Sequence, residues 1–431
     1  MLRRSGLRTF SAAALLASIA PARAPVAAEP VPPAVAPPSP MPPRFLRTLA
    51  HNPAGYDPER SEVATDLLLG DLLFHSPAVL GPKAEAMGMS CHTCHPNGST
   101  HPTLFLSGLS DRPGNIDLST SFFRKGADNG IADYVNIPSL RGARFNAPYG
   151  HDGRTASLSE FIQGVVTGEF GGAPLGPSRL SALVRYVQDF DFLPNPNLDA
   201  RGRLVATGKS SAAAKRGEAL FQRPFGVMAG KSCASCHVPE RFFRDGAAHR
   251  IGSGHSPSPY AVDEAYETPT LLGTQETAPY FHDGRFATLG EVVAWFDSSY
   301  GLRLKEGERA DLTTYLELVG AAEKRTDERS MAAVMSDTFA YLLLVTEPVT
   351  RDDRSLWKMA IDACLGALVG RRVPSALEPR VLQARGALES MRERSSREPV
   401  APMTAEVLDL RRELVRLAAD WTGALAAEHR D

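Results

Sequence analysis

Two short motifs of cysteine and histidine stand out in this sequence. Residues 91–95 read Cys-His-Thr-Cys-His, and residues 233–237 read Cys-Ala-Ser-Cys-His. This spacing is typical of covalent c-type haem attachment, in which two thiols add to the haem vinyl groups and the next imidazole binds the iron. Zinc binding or a redox disulfide is the alternative, but no second cysteine or histidine pair completes a zinc site near either motif. The predicted haem-attaching residues are Cys91, Cys94, His95, Cys233, Cys236 and His237, with His95 and His237 as the iron ligands.

The segments around the two motifs are one sequence unit used twice. Leu-Gly-Asp-Leu-Leu-Phe at 69–74 precedes the first motif, and Arg-Gly-Glu-Ala-Leu-Phe at 216–221 precedes the second. Each segment predicts an amphipathic helix that packs over a haem face. After each motif the pattern Ala-Pro-Tyr-x-His-Asp-Gly-Arg recurs, at 147–154 and 278–285. The repeat indicates two similar structural units.

Helical periodicity dominates the chain, and strand-type alternation is scarce. We therefore predict a mainly α protein with two cytochrome c-like haem domains in tandem, at 51–200 and 201–325, and a C-terminal helical region at 326–431. Ser157 and Thr288 are suitable N-caps for the helices that follow them. The predicted helices are 158–166, 289–296, 331–345, 355–369, 378–393 and 404–428.

The N-terminus has the features of an exported protein. Residues 1–28 combine a basic start at Arg3 and Arg4, a short apolar stretch and small residues, which is typical of a cleaved signal peptide. An uncleaved membrane anchor is the alternative. Residues 29–50 form a linker rich in proline and alanine. These features predict a periplasmic protein with no stable membrane span after cleavage, and the formal net charge of -2 gives no argument for nucleic acid.

The order of these elements resembles the bacterial di-haem cytochrome c peroxidase superfamily, which includes the MauG-like proteins. The resemblance covers roughly residues 65–320. It rests on both haem motifs and on these segments: Leu-Phe-His-Ser-Pro at 73–77, Pro-x-Leu-x-Gly at 138–142 and 269–273, Phe-Arg-Asp-Gly at 243–246, and Thr-Ala-Pro-Tyr-Phe-His-Asp-Gly at 277–284. It implies an oxidoreductase in which one haem relays electrons to a second, N-terminal haem that reduces hydrogen peroxide. The implied electron donor is a small redox protein, a cytochrome c or a cupredoxin.

The resemblance also implies catalytic and calcium-binding residues. Glu169, in a glycine-rich loop after the first repeated block, falls near the place of the family's glutamate, which moves a proton between the peroxide oxygens. Asn136, Thr277 and Pro279 fall at the positions that hold a calcium ion between the haem domains, through a side-chain oxygen and backbone oxygens.

Two histidines and two arginines of the repeated block are candidate haem-contacting residues. His151 and His282 occupy the same place in the two copies, and in the family the second-copy histidine lies beside the haem and contacts its propionates. We expect hydrogen bonds to a propionate or to the backbone, rather than iron ligation. Arg154 and Arg285 are expected to pair with propionates or with the preceding aspartates.

Two positions depart from the family pattern. His151 stands where the family commonly has a tryptophan between the haems, and Phe296 stands where a methionine or tyrosine binds the second iron. Tyr300 lies one helical turn further on. These departures leave open two alternatives to peroxide reduction: a MauG-like enzyme that oxidises a partner protein substrate through high-valent haem, and a non-enzymatic di-haem electron-transfer cytochrome.

Overall fold

A computed structural model of the chain describes residues 62–126, 128, 130–206, 211–254, 264–322, 331–347, 350, 352–369 and 372–428. The predicted signal peptide and the linker lie outside these residues. The described part is mainly helical, which confirms the mainly α character that the sequence predicted, while the two tandem haem domains stay a prediction. Each of its helices is too short or too polar to span a bilayer.

Helices and short strands follow one another along the chain. The α-helices are α1 (Glu62–His75), α2 (Pro82–Met87), α3 (Cys91–Cys94), α4 (Leu158–Gly164), α5 (Pro177–Gln188), α6 (Ala212–Gln222), α7 (Leu289–Tyr300), α8 (Glu306–Gly320), α9 (Met331–Leu344), α10 (Arg354–Ala367), α11 (Glu378–Arg397) and α12 (Thr404–Glu428). Short 3-10 helices lie at Pro77–Leu80, Pro96–Gly98, Ala143–Phe145, Gly226–Met228, Cys233–Ser235, Pro239–Arg241, Thr274–Glu276, Ser375–Leu377 and Ala401–Met403.

The strands form two small antiparallel pairs. Strand β1 (Asn115–Asp117) pairs with β2 (Tyr134–Asn136), so that Asn115 faces Asn136. Strand β3 (Ala248–His249) pairs with β4 (Tyr266–Glu267), so that Ala248 faces Glu267. Each pair lies between a haem motif and the repeated block that follows it.

The helix before each motif packs closely on a later helix of the same repeat. Helix α1 lies against α5, and α6 lies against α8. Both contacts depend on a glycine: a Cβ on Gly70 would lie 2.5 Å from the Cβ of Tyr186, and a Cβ on Gly217 would lie 2.7 Å from the Cβ of Tyr315. The two helix pairs therefore cross in the same way, with Tyr186 and Tyr315 in equivalent places.

The repeated block folds into the same turn twice. In the first copy the backbones of Tyr149 and Thr155 exchange hydrogen bonds of 2.6 and 3.2 Å. In the second copy Tyr280 and Phe286 do the same at 2.7 and 3.4 Å. Each turn leads into a helix, α4 or α7, whose predicted N-cap hydroxyl accepts a backbone hydrogen bond. The two predicted helices are confirmed.

The four helices predicted for the C-terminal region are also confirmed, as α9 to α12. Their buried side chains share one apolar core with the first repeat, where Leu72 and Tyr186 meet Phe339 and Trp357. A separate cluster around Phe243 fills the second repeat. The C-terminal region is thus packed on the first repeat, while the predicted division into three structural domains stays a prediction.

Candidate functional site

Each Cys-x-x-Cys segment forms one helical turn. The turn at 91–94 opens with Ser90, whose backbone N–H donates to the Thr93 hydroxyl at 3.0 Å. The turn of the second motif opens with Ser232, whose N–H donates to the Ser235 hydroxyl at 2.9 Å. This shared capping holds both cysteines of each motif on a single short turn, followed at once by the histidine.

The histidine that follows each turn is oriented by a backbone carbonyl. His95 donates from Nδ1 to the carbonyl oxygen of Pro138 at 2.9 Å, and His237 donates from Nδ1 to that of Phe243 at 3.1 Å. Because Nδ1 carries the hydrogen, Nε2 keeps its lone pair for a metal. Burial lowers the pKa of His95 to about 4 and also lowers that of His237. Both rings are therefore neutral imidazoles, the form that binds iron.

The thiols of the two motifs are free and partly buried. Burial raises the pKa of Cys91 and Cys94 to about 12 and that of Cys233 to about 11. Such thiols are protonated at neutral pH, unlike the exposed, low-pKa cysteines of redox-disulfide sites. This environment fits thiols that are consumed in thioether bonds to a haem.

Glu169 ends a π-helical turn, Val165–Glu169, that continues α4. A π turn of this kind often marks a functional site. The Glu169 side chain, 15% exposed, lies beside a cavity of about 290 Å³ and pairs with Arg154, whose Nη2 lies 3.5 Å from Oε1. Burial raises the pKa of Glu169, and the Arg154 charge offsets only part of this effect. The cavity is lined by Leu118, Ser119, Arg124, Arg154, Thr155, Glu160, Phe161, Gly164, Val165, Gly168 and Glu169.

Asn136 lies where the two repeats meet. Its backbone N–H donates to the His282 carbonyl at 2.7 Å, and its carbonyl accepts from Nε2 of His151 at 3.1 Å. Its side-chain Nδ2 donates to the Pro279 carbonyl at 2.7 Å, while the buried Oδ1 has no hydrogen-bond partner within the described residues. An orphaned amide oxygen beside a backbone carbonyl fits the oxygen ligands that calcium prefers. Thr277 lies nearby in sequence, and its hydroxyl donates to the Thr274 carbonyl.

His151 and His282 make different contacts despite their equivalent places. His151 is held by the Asn136 carbonyl, and burial lowers its pKa. The His282 ring instead stacks on Tyr266, with ring centroids 3.8 Å apart. His151 is thus held by a hydrogen bond to the backbone of β2, and His282 by ring stacking on a tyrosine of β4.

The arginine of each repeated block pairs with the aspartate of its own turn. Arg154 Nη1 lies 3.1 Å from Asp152 Oδ1, and Arg285 Nη2 lies 2.7 Å from Asp283 Oδ2. Burial alone would raise the pKa of Asp283, but the Arg285 hydrogen bonds and charge lower it overall.

Arg244 was not singled out as a site residue by the sequence. Its buried guanidinium leaves the second repeat and donates to the carbonyl oxygens of Phe145 and Asn146 in the first repeat, at 2.8 and 3.1 Å. It also pairs with Glu267. Burial lowers the pKa of Arg244 to about 10, so that it stays charged at neutral pH. Its place within residues 243–246 was the available sequence signal, but the partners are distant in sequence.

Phe296, at the expected place of a second-iron ligand, belongs to an aromatic cluster on α7. Its ring contacts those of Trp295, Phe281 and Tyr300, with centroids 5.0, 6.0 and 5.9 Å apart. A phenylalanine ring offers no atom that could bind iron at this position.

Cys236, Asp245 and His249 bring ligand-type atoms within 4.8 Å of one another. The Nε2 of His249 lies 2.6 Å from an Asp245 carboxylate oxygen. Because Cys236 is a predicted haem-attaching residue, we assign this polar pair to the surroundings of the second motif rather than to a separate metal site.

Comparison with known proteins agrees with these features. The family model for the di-haem cytochrome c peroxidases matches residues 211–323, which contain the second motif and its repeated block. The hydrazine synthase subunit gamma of Kuenenia stuttgartiensis is 25% identical over 241 residues, covering 44% of this chain and 65% of that protein. The methylamine utilization protein MauG of Methylorubrum extorquens is 32% identical over 130 residues, covering 26% of this chain and 35% of that protein. The chain thus spans less than two thirds of either relative.

Two solved structures are similar in shape. A hydrazine synthase of Kuenenia stuttgartiensis superposes on 73% of this chain, over 100% of its own, with a TM-score of 0.43 and 22% identity. A MauG-like protein associated with microbial copper homeostasis covers 60% of this chain and 88% of its own, with a TM-score of 0.42 and 17% identity. From the family match over residues 211–323 and the MauG relative, the resemblance of this chain to the di-haem cytochrome c peroxidase and MauG superfamily is confirmed.

Proposed function

We propose that the protein is a periplasmic di-haem c-type oxidoreductase that reduces hydrogen peroxide with electrons from a small redox protein. The observation that carries the proposal is the largely enclosed Glu169, paired with Arg154 beside a cavity in the first repeat. A carboxyl with a raised pKa is a suitable proton donor and acceptor.

The two motifs supply the residues that would hold the haems, in tandem domains. Cys91 and Cys94 would form the thioether bonds of the first haem, with Nε2 of His95 as the iron ligand. Cys233, Cys236 and His237 would do the same for the second. When bound, the haems supply the redox centres that carry electrons to the peroxide.

The remaining chemistry belongs to side chains of the first repeat. Peroxide reduction consumes two electrons and two protons and yields two molecules of water. Glu169 would accept a proton from one peroxide oxygen and deliver it to the other. The leaving oxygen would then depart as water rather than as hydroxide. Arg154 would hold the Glu169 carboxylate at the cavity wall and stabilise its ionised form.

Steady-state turnover of hydrogen peroxide with reduced cytochrome c tests the proposal. Glu169→Gln removes the proton carrier but keeps the shape, and should lower kcat/KM by about 10²- to 10⁴-fold. Glu160→Gln is the matched control, because this exposed carboxylate lines the same cavity and should leave kcat/KM nearly unchanged. Absence of turnover by the wild-type holoenzyme, even after pre-reduction, would rule the function out.

Oxidation of a partner protein is the second candidate. It is favoured by Phe296, which offers no iron ligand at the second motif, and by the 32% identity to MauG. In this case peroxide should oxidise the holoenzyme without rapid consumption of reduced cytochrome c. Mass spectrometry of candidate partner proteins would then show peroxide-dependent mass changes that need the intact enzyme.

We also propose covalent attachment of both haems, calcium binding at Asn136 and export to the periplasm. The wild-type chain should retain two haems after denaturation, and the double variant Cys91→Ser, Cys94→Ser should retain one. Asn136→Ala should weaken calcium binding measured by calorimetry, because it removes the orphaned oxygen. Fractionation of cells should place the mature protein, lacking residues 1–28, in the periplasm.

A further inference from the structure

A buried carboxylate lies behind the first haem motif. Asp71 of α1 is 2% exposed, and it lies beside the side chains of Tyr186 on α5 and Tyr341 on α9. Nδ1 of His75 lies 2.9 Å from the same carboxylate. Burial, together with the Asp71 charge, raises the pKa of both tyrosines well above the ordinary value. Both are therefore neutral phenols beside a carboxylate.

Aromatic rings connect Tyr186 to the motif. The Tyr186 ring lies 5.2 Å from that of Phe74, which lies 6.3 Å from that of His92. His75 completes a second route, 6.5 Å from Tyr186 and 4.4 Å from His92, measured between ring centroids. His92 stands between the two cysteines of the first motif. Tyr186 is therefore joined to the edge of the predicted haem by contacts between rings.

The second repeat has the same ring geometry without the proton acceptor. Tyr315 lies 5.1 Å from Phe221, at 52° between ring planes, and Tyr186 lies at 51° to Phe74. The residue equivalent to Asp71 is Glu218, whose Oε1 accepts from the backbone of Leu204 instead.

The hydroxyl of Tyr315 is buried and has no hydrogen-bond partner among the described residues. Packing of the helix pair alone therefore does not require a carboxylate at this tyrosine. The Asp71 contact is particular to the first repeat.

From this asymmetry we propose that Tyr186 is a redox-active tyrosine that gives one electron to the first haem and its proton to Asp71. The O–H bond of Tyr186 breaks, the proton passes to a carboxylate oxygen of Asp71, and the electron reduces the haem that hydrogen peroxide has oxidised. The product is a neutral tyrosyl radical that holds one oxidising equivalent in the core. The inference rests on the proposed peroxide chemistry for its oxidant.

The acceptor is needed because an oxidised phenol is strongly acidic and must lose its proton at once. Tyr186 is 2% exposed, so that water does not serve as the acceptor. Asp71 is the buried carboxylate beside Tyr186, and the nearby His75 stabilises its charge before the transfer. Tyr341 is a positioning residue that holds the carboxylate from the C-terminal region.

Electron paramagnetic resonance of the rapidly frozen holoenzyme tests the proposal, in two arms. One arm adds hydrogen peroxide, and the other uses a flash-excited ruthenium polypyridyl complex with a sacrificial electron acceptor, which needs no peroxide chemistry. Protein produced with ring-deuterated tyrosine identifies a tyrosyl signal, because deuteration narrows the spectrum of a tyrosyl radical. The variants are Tyr186→Phe and Tyr341→Phe, with Tyr315→Phe as the matched control.

The expected result is a tyrosyl signal in the wild type that falls at least about tenfold in Tyr186→Phe and is unchanged in Tyr315→Phe. Tyr341→Phe should keep the signal with altered hyperfine structure. An equal yield in Tyr186→Phe, or no tyrosyl signal in either arm, would overturn the inference. A silent peroxide arm with the expected pattern in the flash arm would instead reject only the peroxide function. Asp71→Asn, checked for folding by its haem spectrum, should lower the yield as Tyr186→Phe does.

Discussion

Residues at equivalent positions of the two repeats have acquired different partners. His151 donates to the Asn136 carbonyl, whereas His282 stacks on Tyr266. Arg154 reaches a second carboxylate, Glu169, in addition to the aspartate of its own turn. A difference of this kind depends on which distant segment lies beside the turn, and it cannot be predicted from the repeated sequence itself.

The ion pair between Arg154 and Glu169 should set the acid limb of the pH profile. The Arg154 charge lowers the pKa of Glu169 against the larger effect of burial, so its removal should raise that pKa further. In Arg154→Leu the acid limb of kcat/KM for peroxide is expected to move to higher pH, because Glu169 must be ionised to accept a proton. Arg124→Leu, which changes another cation of the same cavity, should leave the limb in place.

Arg244 should contribute strongly to the contact between the repeats. Arg244→Met leaves the Glu267 carboxylate buried without its cation and removes the donors to Phe145 and Asn146. We expect a loss of about 3–5 kcal/mol in the free energy of unfolding, measured by denaturant titration of the holoenzyme.

The combined Arg244→Met and Glu267→Met variant should recover part of that loss, since no uncompensated charge remains. Additive losses in the double variant would show that the two side chains act independently and that the ion pair is not the main contribution.

At the scale of the elements, helices were predictable where a local signal existed. The N-caps Ser157 and Thr288 marked the starts of α4 and α7, and apolar periodicity marked α9 to α12. The π turn that ends at Glu169 could not be predicted, because it depends on how the chain after α4 closes on the cavity. The prediction placed the end of this helix at Val166, which is inside that turn.

Two glycines allow the helix crossings and should tolerate no side chain. A Cβ on Gly70 would lie 2.3 Å from the Ala182 carbonyl oxygen, and one on Gly217 would lie 2.1 Å from that of Asp311. Gly70→Ala and Gly217→Ala should each cost about 1–3 kcal/mol in the free energy of unfolding. Gly386→Ala is the control, because space is open there within α11, and helix propensity should stabilise it by up to about 1 kcal/mol.

The ion pair between Arg179 on α5 and Asp353, the N-cap of α10, should weaken in acid. Burial alone would raise the pKa of Asp353, but hydrogen bonds from Ser355 and Arg179 and the Arg179 charge lower it overall. A carboxyl with a lowered folded-state pKa stabilises the protein above its unfolded pKa, about 3.9, and this contribution is lost as the pH falls. In Arg179→Met the melting temperature should therefore depend less on pH in this range than in the wild type. Arg185→Met, which removes an exposed cation from the same helix, should keep the wild-type dependence.

At the scale of the whole molecule, the sequence predicted the helices of the C-terminal region but not where they pack. Helical periodicity reports which face of a helix is apolar and says nothing about which partner covers it. In the structure the region joins the core of the first repeat, through residues such as Phe339 and Trp357, and through Tyr341 at Asp71. That the C-terminal helices pack on the first repeat depends on tertiary contacts, which the pattern of each separate helix does not reveal.

The shared core makes the first repeat and the C-terminal helices one cooperative unit, distinct from the second repeat. Leu342→Ala in α9 removes a side chain that is 0% exposed and should cost about 2–5 kcal/mol. Hydrogen exchange followed by mass spectrometry should then show faster exchange in α1 and α5 as well as in α9 to α12, with α6 to α8 unchanged. Val319→Ala, equally buried in α8, should show the reverse distribution. If Leu342→Ala accelerates exchange only within α9 to α12, the C-terminal helices fold independently, and their contact with Asp71 through Tyr341 is a docking contact between separate units.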